Sequence, residues 1–209
     1  MLIYIEISGG LLQNVQEIFI METAYSANKI KLRDYLDYAG ILTCNVNSYL
    51  PSLSDIGCNW SDAVALIDSH DLFYCKAYRK RTTYLSRHVY FLLKQCLSKM
   101  PLKSNEVIIY DILKQAGPLQ TTELKPLARM ESSSFSKATN LLLENMYITA
   151  YKNGEFLNSN WSTLTYSTAE DWEKCIEIPY IKGNAQEELK MILTRTMSEK
   201  EFKKFIRFQ

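Results

Sequence analysis

A run of basic residues without any acidic residue is the strongest chemical signal in this 209-residue chain. No Asp or Glu occurs between Leu72 and Asn105, and tyrosine, threonine and serine alternate there with the positive charges. Such a segment suits a nucleic-acid backbone, because cations release counterions from phosphates and hydroxyl groups add oriented hydrogen bonds. The residues that we expect to contact phosphate are Lys76, Arg79, Lys80, Arg81 and Arg87.

The same run has a second interpretation, in which the charges line the solvated side of two ordinary helices. Tyr84, Leu85, Val89, Leu92 and Leu93 would then face a core. The sequence leaves both interpretations open. A formal net charge of +1 excludes a generally basic DNA-coating protein, so a polyanion site requires local clustering of charge.

Metal-dependent and nucleophilic chemistry find no support in the residue pattern. His70 stands between aspartates but has no second histidine or cysteine at ligand spacing, so a solvated helix end explains it better. The five cysteines form no C-x-x-C pair, which predicts reduced, buried thiols in the cytoplasm and no disulfide framework. No G-x-S-x-G motif and no phosphate-cradling glycine loop occurs. We therefore predict no catalytic residue, no metal and no cofactor.

Three helices are expected in the stretch 104–157, and the first two come in quick succession. The first is predicted from Asn105 to Gln115 and ends at Gly117-Pro118. Its expected buried face contains Val107, Ile108, Ile112 and Leu113. The second is predicted to begin near Thr122, with Pro126 in its first turn, where a missing N–H is harmless. The inward residues of the second helix are expected to be Leu124 and Leu127.

The third helix provides the second candidate contact surface. It is predicted from Phe135 to Met146, after a cap supplied by the serines at 132–134. Its apolar stripe contains Phe135, Ala138, Leu142 and Met146. The residues of this region expected to contact DNA are Ser133, Ser136, Lys137 and Asn140.

A hairpin is predicted to follow the third helix. Residues 147–151 read as a strand, Asn153-Gly154 as a type I′ turn and residues 155–157 as the returning strand, with Lys152 available to phosphate. Three helices followed by a hairpin predict a winged helix-turn-helix, whose third helix enters the major groove. Winged helices also serve as protein-interaction modules. The positive charge of Lys137 is opposed by the negative charges of Glu131 and Glu144, so the region of the third helix is not strongly basic and both roles stay open.

The whole chain is predicted to be mainly α-helical with small β-hairpins, built from two winged-helix units packed together. The short break at 99–103 separates a mostly helical unit, 1–100, from a winged helix-turn-helix, 101–165, and a C-terminal helical extension, 166–209. One helix is expected before this unit, at 29–39, and it ends at Gly40. Two more are expected near the C-terminus, at 185–194 and after Ser198. A strand at 2–7 and a helix at 11–20 are also expected, and Met21 is an alternative start. No segment reaches the length of a membrane span.

These residues resemble the AlkZ-related proteins, a group similar to the YcaQ-type DNA glycosylases. The resemblance rests on Ala39-Gly40-Ile41-Leu42, Leu50-Pro51-Ser52-Leu53, Trp60, the basic 78–81 segment and the 105–157 unit, and it covers about Lys29 to Trp161. It implies a protein built from winged-helix units, and the glycosylases of the group excise alkylated or crosslinked bases. Those enzymes use a Q-x-Q motif, whereas Gln13 and Gln16 have a different spacing, so no catalytic residue is carried over.

The combined expectation is a cytoplasmic protein that binds double-stranded DNA through the basic segment and the third helix, with a link to DNA repair. A transcriptional regulator, a glycosylase acting on alkylated bases and a protein-interaction module are the alternatives. The sequence leaves the oligomeric state and the DNA target open.

Overall fold

We describe a computed structural model of the chain over residues 27–98, 100–158, 161–181 and 183–207. Within these ranges the fold is mixed α/β, with nine α-helices and two small three-stranded antiparallel sheets, where a mainly α-helical chain with small β-hairpins was predicted. The strand predicted at 2–7, the helix predicted at 11–20 and the alternative start at Met21 lie outside the described residues.

The first half forms a three-stranded sheet flanked by helices. Helix α1 spans 27–39 and is followed by β1 (Ile41–Thr43), a 3-10 turn (Ser54–Ile56), α2 (Trp60–Asp68), β2 (Leu72–Cys75), β3 (Thr83–Ser86) and α3 (Arg87–Cys96). The strand order is β1-β3-β2, with both pairs antiparallel. Helix α1 ends as predicted at Gly40, whose φ is +76°.

The second half repeats this order, with helix α5 in the place of the 3-10 turn. Its members are α4 (Ser104–Ala116), β4 (Leu119–Gln120), α5 (Thr121–Ala128), α6 (Ser132–Glu144), β5 (Ile148–Asn158) and β6 (Trp161–Thr168). The strand order β4-β6-β5 matches the order in the first sheet. Helices α7 (Ala169–Glu173), α8 (Ala185–Leu193) and α9 (Glu199–Arg207) complete the described chain, and α8 and α9 were both expected.

Two hydrophobic clusters form the core, and each combines residues from both halves. One joins Leu36 and Leu66 to Ile109 and Leu142, and the other joins Phe73 and residues of α3 to α7, α8 and α9. Trp172 is completely buried in the second cluster. The division into units at residues 100 and 165 stays a prediction.

Several local expectations were wrong. In α4, Glu106, Ile109 and Leu113 are buried, while Val107 and Ile108 are exposed, because the inward face follows positions 106, 109 and 113. Helix α5 begins at Thr121, so Pro126 lies beyond the first turn, and Leu127 is exposed because Leu124 and Ala128 take the inward positions. Helix α6 begins at Ser132, so the serines belong to its first turn; its apolar stripe is buried as predicted.

The Asn153-Gly154 turn was also wrong, because β5 continues through both residues. Asn153 pairs with Leu164, and the register shifts before Phe156 pairs with Ser162, which indicates a bulge in the strand. A Cβ atom at Gly154 would lie 2.3 Å from Thr163 Oγ1. Glycine is therefore needed for the close approach of the neighbouring strand, and the pairing of β5 with β6 extends to Asn158 opposite Trp161.

Thr149 joins the two sheets. Its hydroxyl donates a hydrogen bond to the carbonyl oxygen of Tyr74 at 2.9 Å and accepts one from the Tyr74 N–H at 3.0 Å. Tyr74 lies on β2, an edge strand of the first sheet, and Thr149 lies on β5, an edge strand of the second. Because Thr149 is completely buried, this side chain satisfies strand-edge groups that water does not reach.

Replacing Thr149 with valine, which has the same shape but lacks the hydroxyl, should destabilise the fold by about 1–3 kcal/mol, because two buried backbone groups of Tyr74 would lose their partner. Urea unfolding would measure the loss. The matched control is Thr165→Val, which removes a more exposed hydrogen bond to the Lys152 carbonyl oxygen and should cost clearly less. Equal losses from both substitutions would contradict this assignment.

Gly40→Ala should be strongly destabilising, by about 3 kcal/mol, because a left-handed backbone and a steric clash combine there. A Cβ atom would lie 2.5 Å from Val89 Cγ2 and 2.8 Å from Ile192 Cγ2, which belong to two packed helices. The control Gly57→Ala has a similar φ of +66° but meets only the mobile end of Lys31, so about 1 kcal/mol is expected. Thermal unfolding of both variants tests the difference.

Candidate nucleic-acid interface

The basic segment 76–82 is the loop that connects β2 to β3. The alternative of two ordinary helices is therefore wrong for this segment, since within the run only α3 and the first residue of α4 are helical among the described residues. Its other part is confirmed, because Tyr84, Leu85, Val89, Leu92 and Leu93 are all buried. Two adjacent loop residues, Arg79 and Lys80, have positive φ values of 50° and 58°. Each such residue costs about 1–3 kcal/mol in backbone strain, so surrounding contacts must hold the loop in place.

Arg79 supplies much of that restraint. Its guanidinium carbon lies 3.8 Å from the centre of the Tyr49 ring, and its Nε donates to Glu201 Oε1 of α9 at 2.7 Å. The Tyr78 hydroxyl donates to the same oxygen at 2.9 Å. Arg79 is therefore held between an aromatic ring and a carboxylate, and its charge is neutralised within the protein.

The electrostatics of this contact favour a persistent ion pair. Partial burial acts to raise the pKa of the Glu201 carboxyl, but the hydrogen bonds from Arg79 and Tyr78 outweigh it and keep that pKa below its ordinary value. Burial, followed by the hydrogen bond to Glu201, raises the pKa of Tyr78 to about 12. At neutral pH, Glu201 is thus ionised and Tyr78 keeps its donated proton.

The loop lies directly against α6. Lys76 Nζ donates to Asn140 Oδ1 at 2.7 Å, and the Lys76 backbone N–H donates to the Leu143 carbonyl oxygen at 3.1 Å. Lys80 Nζ lies 3.6 Å from Glu144 Oε2 at the end of the same helix. Two stretches predicted separately to contact DNA therefore form one continuous surface.

We call this the loop–helix surface, defined by loop residues 76–81 and the outward face of α6. That face carries Ser133, Ser136, Lys137 and Asn140, of which Asn140 is half-buried and the others are exposed. Arg81 and Lys137 are exposed, and neither has an ion pair with any residue that the structure describes. These two charges are the cations of the surface most available to an external anion.

The structure places Arg87 and Lys152 away from the loop–helix surface. Arg87 follows β3 at the end opposite the 76–82 loop, where its guanidinium contacts Asp71 at 2.8 Å and donates to the backbone carbonyl oxygen of His70. Lys152 is exposed on β5, beside Asn153, whose N–H donates to Asp68. Nearby carboxylates reduce the positive potential around both residues.

Glu201 and Glu144 were missed by reasoning from the sequence as partners of the basic loop. Glu201 is 122 residues from Arg79 along the chain, and only the docking of α9 brings them together. The capping pattern that starts at Ser198 predicted the helix correctly, and the Glu201 N–H donates to the Ser198 hydroxyl. No sequence pattern indicated which surface this helix would meet.

Trp60 and His70 pack against other aromatic rings of the protein. Trp60 is half-buried, its ring centre lies 5.1 Å from that of Trp161, and its Nε1 donates to the Ser162 hydroxyl. The His70 ring packs on Tyr151, with 4.6 Å between ring centres, so it is not a freely solvated helix end. All five cysteines are free, as predicted, but only Cys58 and Cys75 are buried; Cys44 and Cys96 are partly exposed and Cys175 is exposed.

The described residues contain no group of three or more metal-binding side chains close enough to hold an ion. In the same ranges, no helix is long and apolar enough to cross a membrane.

A comparison with protein families matches residues 55–208 to the family described as AlkZ related. No match was found among curated proteins or among solved structures. The matched segment begins after α1 and β1 and extends past the expected limit at Trp161 to α9. It therefore includes the whole loop–helix surface. Because the match covers most of the 209 residues, the chain belongs to the AlkZ-related family.

Proposed function

We propose that this protein binds duplex DNA through the loop–helix surface, in a role associated with DNA repair. The observation that carries the proposal is the hydrogen bond from Lys76 Nζ to Asn140 Oδ1, at 2.7 Å, which unites the basic loop with α6. Membership of the AlkZ-related family suggests the link to repair. No catalytic step is part of the proposal.

The arrangement of elements supports an interpretation as two winged-helix units. In the second half, α4, α5 and α6 are the three helices, and β5 and β6 form the long hairpin, or wing, beside the short strand β4. The first half has the same strand order, and its 3-10 turn occupies the place of α5, so α2 corresponds to the third helix and residues 76–82 to the wing. In this interpretation the basic loop and α6 are the DNA-contacting parts of two different units.

Packing explains why the two units contribute different parts. Helix α2 packs against β5, and all of its residues from Asp62 to Ile67 are buried, so its side chains cannot reach a groove. Helix α6 keeps Ser133, Ser136 and Lys137 exposed. The second unit therefore offers its third helix to the major groove, while the first unit offers its wing to the flanking phosphates.

The direct test is fluorescence anisotropy of a labelled duplex of about 20 base pairs, titrated with the full chain at several salt concentrations. Binding through phosphates requires the logarithm of the affinity to fall linearly with the logarithm of salt concentration, by about 0.9 per phosphate neutralised. Absence of binding at low salt would reject the proposal. Duplexes with and without an alkylated base then test a preference for damaged DNA.

The double substitution Arg81→Glu/Lys137→Glu should weaken duplex binding by about tenfold or more and reduce the salt slope by about 2, because two exposed cations of the surface become anions. Both side chains are exposed, so the fold should be retained. The control Lys31→Glu/Lys114→Glu makes the same change in net charge at exposed positions on α1 and α4. Equal losses in the two variants would show a general charge effect and contradict a local surface.

Glu201→Gln should strengthen duplex binding by about threefold, because Arg79 would lose the carboxylate that neutralises it while the shape of the side chain is kept. Anisotropy at low and high salt would detect the gain, which should disappear as salt rises. Glu173→Gln is the control, since it removes a carboxylate paired with Lys94 on a different part of the protein. No gain with Glu201→Gln would remove Arg79 from the DNA surface.

A further inference from the structure

A cavity of about 540 Å³ opens beside the loop–helix surface. Five parts of the chain line it: the 76–80 loop, the 100–103 connection between α3 and α4, the first turn of α4, the C-terminal end of α6, and α9. Its volume lies within the range of small-molecule sites, and meeting points between separate elements are where such sites commonly occur. The duplex proposal shares the 76–80 loop with this cavity but assigns no ligand to the cavity itself.

The walls of the cavity combine apolar and charged groups. Met100, Leu102, Leu141 and Phe205 form an apolar part, which suits the body of a ligand. Five basic and three acidic side chains also line the space, so its charge balance is positive. A ligand that matches both features has an apolar or aromatic body and a negatively charged group.

The three acidic residues already have partners in the protein. Glu201 accepts hydrogen bonds from Arg79 and Tyr78, Glu106 accepts one from the Lys103 backbone N–H at 2.6 Å, and Glu144 lies 3.6 Å from Lys80 Nζ. These contacts use the carboxylates to neutralise loop charge and to cap α4. Glu201 also attracts Lys204 electrostatically, so the positive balance of the cavity rests on its five cations outnumbering its three carboxylates.

Three lysines remain available to an anion. Lys76 contacts the neutral amide of Asn140, and Lys103 and Lys204 have no ion pair with any residue in the described ranges. Lys103 and Lys204 are exposed at the rim, so their ammonium groups can reach a ligand without a cost of deep burial. Lysine commonly binds phosphate as a compact point charge.

We propose that this cavity binds a phosphorylated small molecule of nucleotide size, with its phosphate at Lys76, Lys103 and Lys204 and its body against Leu141 and Phe205. The cavity shares Lys76, Arg79 and Lys80 with the loop–helix surface, whereas the duplex contact cations Arg81 and Lys137 do not line it. A free nucleotide and a nucleotide of a DNA strand offer the same chemistry, and the test distinguishes them.

The test is isothermal titration calorimetry of the full chain with 2′-deoxyadenosine 5′-monophosphate, with deoxyadenosine and inorganic phosphate as partial ligands. The nucleotide should bind at one site per chain and more tightly than either part. Lys103→Ala/Lys204→Ala should weaken it about tenfold, while the control Lys31→Ala/Lys114→Ala should leave it unchanged. No saturable binding of the nucleotide at millimolar concentrations, or equal affinity in the two double variants, would overturn the proposal.

Two further measurements separate the possible sources and the two proposals. Displacement of the nucleotide by an unlabelled duplex would place a DNA nucleotide in the cavity, whereas simultaneous binding would assign it to a free nucleotide. Arg81→Glu/Lys137→Glu should lose duplex binding but retain the nucleotide, because neither residue lines the cavity. If the protein binds the duplex but not the nucleotide, the cavity proposal is rejected and the duplex proposal stands. If it binds the nucleotide but not the duplex, the duplex proposal is rejected and the cavity proposal stands.

Discussion

The position of the basic loop depends on how the two sheets meet, and the buried Thr149 hydroxyl is central to that contact. It satisfies both backbone groups of Tyr74 on an edge of the first sheet, which would otherwise be left unpaired inside the protein. The Lys76 N–H then bonds to the Leu143 carbonyl oxygen, so the chain leaves β2 directly against α6. The backbone at this junction thus fixes where the loop begins and which helix it accompanies.

The same contact makes the two halves unequal despite their shared order of elements. Helix α2 packs against β5 and is largely buried, whereas α6 retains an exposed polar side. A duplicated arrangement would offer two equivalent helices if the halves were separate. Joined as they are, the halves support a single composite surface, which is the basis of the proposed duplex contact.

Much of the regular structure could be predicted from periodicity and capping residues. The apolar stripe of α6, the glycine end of α1 and the starts of α8 and α9 follow from local patterns. The Asn153-Gly154 signal failed because glycine there meets a requirement of the opposite strand, the close approach of Thr163. Short strands such as β4 have too few residues for alternation to reveal them.

The candidate surface was predictable only as a set of residue types. An acid-free run suggested strong positive potential, but Glu201 and Glu144 approach Arg79 and Lys80 from distant parts of the chain. Asp71, which immediately precedes the run, pairs with Arg87 across the β2–β3 hairpin. Long-range ion pairs leave no local signature, so the sequence overstated the charge available to a partner. It also could not show that Arg87 lies at the opposite end of β3 from the other cations.

Neutralised residues fix the shape of the loop in the proposed duplex surface. Arg79 and Lys80 both occupy a left-handed conformation that costs about 1–3 kcal/mol each, and no glycine is present to relieve it. The Tyr49 ring and Glu201 hold Arg79 and so offset part of the strain, whereas the ion pair of the largely exposed Lys80 with Glu144 adds little. A loop held in this way loses little conformational entropy when a partner binds. Arg79 then acts chiefly as an anchor, and Arg81, which has no ion pair within the part of the chain that the structure describes, extends from a backbone already in place.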